Sequence, residues 1–180
     1  AGEKKPEYVV DVFRVRGGNT HDYLMHAATD DFAAGGIGLA PGGETETAAY
    51  GLAGVMTGTP GGVWTTDWQN YGGTARTKVW HVSGSNEQVY IGDGWGQRSN
   101  EEPGIEVPYI VRRLANTPDG NLFASVVESY TNQPKIQSVS PLTLASGDAG
   151  SGASAHVGLK IEGNGWHDFV FIAAGGQGQE

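Results

Sequence analysis

The segment FRVRGGNTHDYLMHA, residues 13–27, gathers Arg14, Arg16, His21, Asp22, Tyr23 and His26 around a glycine pair. Residues of these types could act in three ways. Imidazole titrates near neutrality and a phenol can act once its pKa is perturbed, so His21, Tyr23 and His26 permit general acid–base chemistry. Guanidinium binds a carboxylate in a bidentate fork, so the same-face pairs Arg14 with Arg16 and Arg76 with Lys78 could hold a uronate or sulfate. Metal binding is disfavoured by spacing. His21 and His26 are five residues apart, which places them on opposite faces of a strand. Asp22 and His26 share a face, but they stand about 13 Å apart on a strand, too far to ligate one ion near ~2 Å. Against all three stands a structural reading: a hydrogen-bonded hairpin turned by the glycine pair, whose polar groups satisfy one another and whose arginines pair with acidic residues.

A second segment, VWTTDWQNYGG at residues 63–73, sets Trp64, Trp68 and Tyr71 beside Asp67, Gln69 and Asn70. An aromatic ring stacks on the apolar face of a pyranose while amides and carboxylates reach its hydroxyls, so Trp68 and Tyr71 are candidates for carbohydrate contact. Core packing with a polar rim explains them equally well. Trp64 and Trp68 share a strand face, which predicts one ring in the core and the other half-buried. GDGWGQRSNEE lacks the regular Asp/Asn spacing of a calcium loop and reads as a turn followed by an acidic loop. No P-loop, dinucleotide fingerprint or Ser-His-Asp signature is present. No metal or cofactor site is assigned to the chain.

These groups must be positioned by strands. Apolar, β-branched and aromatic residues alternate with period 2 in runs closed by Gly, Asn, Pro or Asp. Strands are expected at 8–16, 20–28, 47–57, 62–68, 75–82, 88–92, 109–116, 122–130, 136–144, 155–162 and 166–173, with long loops at 33–43 and 92–108. Helix signals are nearly absent. In the last pair Ala155, Val157, Leu159 and Ile161 share one face, His156 and Lys160 point to the wet face, and EGNG supplies a tight turn. So many antiparallel strands cannot bury their apolar faces in one open sheet, which predicts an all-β antiparallel sandwich with few or no helices. The 180 residues fit one domain, 1–180.

The net charge of −9 disfavours nucleic acid and anionic membrane surfaces as partners. No run is long enough to span a membrane as a helix. The absence of cysteine excludes disulfides and thiolate chemistry. The opening AGEKKPEYVV has no signal-like apolar core, so the chain is expected to be a trimmed or excised part of something longer.

Several phrases together resemble the C-terminal β-sandwich portion of heparinase II/III-like polysaccharide lyases: YVVDVFRVRGGNTHDYLMHA, VPYIVRRL, FASVVESYTNQPKIQSVSPL and GWHDFVFIA, in family order. The resemblance implies an extracytoplasmic enzyme that cleaves uronic-acid-containing polysaccharides by β-elimination. In such enzymes an N-terminal helical toroid supplies the uronate-neutralising and proton-transferring side chains. A segment that precedes the matched region carries the divalent-metal ligands. No catalytic or metal residue therefore carries over, and this chain is expected to be inactive alone. Residues that could face an acidic polysaccharide are Arg14, His21, Tyr23, His26, Trp68, Tyr71 and Arg76. The expected partners are the toroid, the polysaccharide and a second copy of the chain. A free-standing carbohydrate-binding module and a purely structural or interaction domain are the rival readings.

Overall fold

The computed structural model describes residues 7–70, 72–97, 99–143 and 150–174. The period-2 runs form antiparallel strands in three stacked sheets. Sheet A has the order β1 (Tyr8–Val15), β10 (Asn121–Tyr130), β7 (Arg76–Val82), β6 (Trp64–Gln69), β3 (Phe32–Gly35). Sheet B runs β2 (Thr20–His26), β9 (Ile105–Ala115), β8 (Gln88–Gly96), β5 (Ala53–Gly58), β4 (Ala40–Pro41). Sheet C is β11 (Ile136–Pro141), β12 (Val157–Gly163), β13 (Trp166–Ile172). Among the described residues the helical segments are two short 3-10 turns, Ala48–Tyr50 and Gly152–Ser154. Among the described residues no helix is long and apolar enough to cross a membrane.

Sheet A lies between the other two. Its one face, with Val10, Val12, Ala124 and Val126, packs on Ile136, Val139, Leu159 and Ile161 of sheet C. Its other face, with Trp64, Trp68 and Val79, packs on Met25, Val89, Ile91 and Ile110 of sheet B. A third apolar group, Leu52, Val55, Tyr90 and Val111, covers part of the outer face of sheet B. Each large apolar side chain buried in these layers contributes about 1.5–3 kcal/mol, which is what stacks them.

The glycine pair does not close a hairpin. Gly17 and Gly18 both take positive φ, 85° and 72°, but β1 pairs with β10 whereas β2 pairs with β9. The turn therefore hands the chain from sheet A to sheet B. The expected strand at 47–57 is instead a 3-10 turn followed by β5, and the expected loop at 33–43 contains β3 and β4. The expected loop at 92–108 shrinks to 97–104, because β8 runs on through Gly96 and β9 begins at Ile105. In the last hairpin Val157, Leu159 and Ile161 are buried and Gly165 turns the chain at φ 76°.

One ion pair joins sheets A and B through the core. Arg112 of β9 is fully buried and donates from Nε to Glu87 Oε1 at 2.7 Å and from Nη2 to Glu87 Oε2 at 2.9 Å. Its other donors reach the Val82 carbonyl at 2.8 Å, the Ala124 carbonyl at 3.1 Å and Ser125 Oγ at 3.1 Å, all on sheet A. Every guanidinium N–H thus has an acceptor. The Gly84 N–H donates to Glu87 Oε2 at 3.1 Å, which fixes the β7–β8 turn. Removing one partner strands a buried charge. Arg112→Met or Glu87→Leu alone is expected to lower the unfolding free energy by about 3–5 kcal/mol in urea titrations, and the double variant to recover most of that loss.

Candidate functional site

Alternation along β2 splits the polar segment between two environments. His21 and Tyr23 face sheet A, whereas Asp22, Leu24 and His26 face outward. His21 is buried, its Nε2 donating to the Gly17 carbonyl and its Nδ1 accepting from Asn121 Nδ2 at 3.0 Å. Asn121 also donates to the Ala115 carbonyl at 2.9 Å. The Tyr23 hydroxyl donates to Asp11 at 2.6 Å, and its ring stacks on Phe123 with centroids 5.7 Å apart. Burial, then the hydrogen bond and charge of Asp11, push this phenol far above its ordinary pKa. It stays protonated near neutrality and cannot accept a proton there.

Deeper in the same layer, His81 stacks on Trp64 at 4.2 Å and shares a hydrogen bond of 2.9 Å with Thr66. Burial, then the positive charge of Arg112, hold its imidazole well below the usual value, so it is neutral. These inward groups tie strands together. His21 and His81 are buried, and Tyr23 is half-buried.

The outward groups form a surface site. Arg113 of β9 sits opposite Asp22 in the ladder and grips it from Nε at 2.7 Å and Nη2 at 2.6 Å. The Tyr50 hydroxyl donates to Asp22 Oδ2 at 2.5 Å, and Arg113 Nη1 donates to the Glu46 carbonyl at 3.0 Å. The guanidinium lies 5.4 Å from the Tyr90 ring centroid. This cluster pins the 43–52 loop over sheet B. Beside it the exposed imidazole of His26 stacks on Tyr109 at 4.3 Å, and the Tyr109 hydroxyl donates to the Trp95 carbonyl at 2.8 Å.

The other candidates lie elsewhere. Arg14, on the sheet C side of sheet A, donates to the Ala153 and Ala155 carbonyls at 3.0 and 2.6 Å. Arg76 is held by Asp67 at 2.6 Å and by Asp31 at 3.1 Å, and Tyr130 donates to Asp67 at 2.6 Å. Trp68 is only 2 % exposed and packs on Phe32, so its ring presents no face to a sugar. Trp64 is buried too, because sheet B covers both rings, where one half-buried ring was expected. Tyr71 lies outside the described residues. The structure therefore brings His21 and Tyr23 into one layer, places His26 on the opposite face, and leaves Arg14, Trp68 and Arg76 apart from them.

Among the described residues no group of three or more His, Asp or Glu side chains is placed to hold a metal ion. Arg76 and Arg113 are held by carboxylates, Arg14 gives both of its hydrogen bonds to carbonyls from Nη1 while its buried Nη2 has no hydrogen-bond partner, and the inward imidazoles and phenol are partnered. Among the described residues the most exposed aromatic rings of Phe, Tyr and Trp lie outside the sequence-based candidates: Trp95, Phe169 and Phe171, which are 63 %, 64 % and 62 % exposed. The pattern in GWHDFVFIA already puts Phe169 and Phe171 on one strand face, but the inward face is equally apolar, so alternation alone does not choose between them. Trp95 sits among glycines in a stretch that reads as loop.

No protein-family model and no curated protein matches the sequence.

Burial raises the pKa of Asp22, but the hydrogen bonds from Arg113 and Tyr50 and the charge of Arg113 outweigh it and leave the carboxyl below its ordinary 3.8. A group with a depressed folded pKa stabilises the native state above its unfolded pKa, and that contribution fades as the pH falls through the folded value. Acidification from 3.8 downward is therefore expected to release the 43–52 loop. Asp22→Asn should remove this part of the acid limb in a plot of stability against pH. An unchanged limb would place the dependence on other carboxylates.

Proposed function

We propose that the chain is the non-catalytic β-sandwich part of a heparinase II/III-like polysaccharide lyase that acts outside the cytoplasm on uronic-acid-containing polysaccharides. In this reading it braces the helical toroid and lines one side of the cleft, while the toroid supplies uronate neutralisation and proton transfer. The sequence phrases suggest the relationship. One surface supports it.

On β13 the residues Trp166, Asp168, Val170 and Ile172 point inward, and His167, Phe169 and Phe171 point outward. β13 is an edge of sheet C. His156 packs on Phe171 at 5.5 Å and His167 on Phe169 at 5.3 Å, so the stripe is continuous. The Lys160–Glu162 ion pair of 2.6 Å lies on the neighbouring strand. Large aromatic side chains in a row along an open strand edge invite association unless a partner covers them. The proposed cover is the toroid.

The chain alone is expected to yield no ultraviolet absorbance of unsaturated uronate from heparan sulfate, chondroitin or alginate, with or without zinc or calcium. Turnover by the chain alone would contradict the proposal. Replacing Phe169 and Phe171 together by serine should lower the binding of an apolar fluorescent dye and leave the urea midpoint unchanged. Undiminished dye binding would locate the sticky surface elsewhere.

A further inference from the structure

The β8–β9 hairpin projects beyond the sheet that covers its inner face. Ile91 and Ile110, paired in the ladder, are buried against sheet A, but farther along the same face Asp93, Trp95 and Glu106 are exposed. Of the five tryptophans, Trp64 and Trp68 are buried, Trp80 and Trp166 are half-buried, and Trp95 alone is presented to solvent. Its cross-strand partner is Glu106. Directly opposed side chains have Cβ atoms about 4.5–5.5 Å apart, and Asp93, two residues back on the same strand, stands about 7 Å away. Two carboxylates thus flank one indole.

The ring is held in place. Gly104, at φ +96°, lies so close to the indole that a Cβ there would stand 2.2 Å from Trp95 Nε1. The loop carrying Gly104 is closed by a hydrogen bond from Gln97 Nε2 to the Glu102 carbonyl at 3.0 Å. The Trp95 carbonyl is fixed from the other face by the Tyr109 hydroxyl. A glycine shaped around an exposed indole keeps the ring oriented while leaving its face open, and an oriented ring loses little entropy when a ligand stacks on it.

From this geometry we infer that Trp95, Asp93 and Glu106 form a binding subsite for an uncharged, hydroxyl-rich sugar residue. The indole stacks on the apolar C–H face of the pyranose, as aromatic rings do in carbohydrate sites. Asp93 and Glu106 accept hydrogen bonds from hydroxyls at the sugar's edge, and these bonds are strengthened by the carboxylate charge. The same two charges repel a uronate carboxylate, so the subsite discriminates against charged residues of a polysaccharide. Such a subsite needs this hairpin alone and does not depend on the lyase reading.

Cellohexaose, xylohexaose, mannohexaose and an alginate hexuronate can each be titrated against the whole chain by calorimetry and tryptophan fluorescence. The expected result is saturable binding of at least one neutral hexasaccharide with a shift in tryptophan emission, and affinity about tenfold or more lower for the hexuronate. Trp95→Ala should weaken the neutral ligand about tenfold or more, and Asp93→Asn with Glu106→Gln should weaken it severalfold. A urea midpoint equal to that of the parent protein shows that each variant is folded. Failure of all three neutral hexasaccharides to bind, binding undiminished in Trp95→Ala, or tighter binding of the hexuronate would each overturn the inference.

Discussion

The Arg112–Glu87 pair is the constraint on which the rest of this sandwich depends. Its guanidinium is fully buried between two sheets and reaches acceptors on β7, β10 and the β7–β8 turn from a strand of the opposite sheet. A charge in that position is tolerated only if every donor is satisfied, so the spacing and register of both sheets must keep five acceptors in place at once. The rings of Phe123 and Tyr23, at 5.4 and 6.0 Å from the guanidinium carbon, complete its surroundings. His81 is held neutral partly by that same charge.

From this centre the polar groups divide into two kinds. Those facing inward serve cohesion: His21 with Asn121, Tyr23 with Asp11, His81 with Thr66. Tyr8 extends the same logic to the third layer, joining β1 to Asp168 of β13, with burial and then that carboxylate pushing its phenol up to about 12. Those facing outward fasten loops, as Asp22 and Arg113 fasten the 43–52 segment. In the segment composed like a catalytic centre, His21, Asp22 and Tyr23 are thereby engaged within the fold, while the His26 imidazole stays exposed.

The all-β architecture was legible because period-2 alternation survives in most strands, and the buried set Val157, Leu159 and Ile161 is an instance. The departures have local causes. Gly92, Gly94 and Gly96 read as loop, yet each occupies the outer face of β8 where Leu52, Tyr109 or Val107 crowds the space a side chain would need. β3 and β4 are built partly of Ala, Gly and Pro, residues without strand preference, and exist because β6 and β5 offer them partners. The site was less legible than the fold. Opposite faces for His21 and His26 followed from parity alone, but Asp22 and Arg113 are 91 positions apart and meet only through strand pairing. The burial of both Trp64 and Trp68 required knowing that a second sheet covers that face.

The lock that one guanidinium places on sheets A and B can be measured directly by nitrogen-resolved NMR of the arginine side chains. A locked Arg112 should show separate resonances for its individual Nη protons and an Nε proton that persists after transfer into deuterated water. An averaged Nη signal that is lost at once on transfer would mean that the group rotates and meets solvent, and that no such lock joins the two sheets.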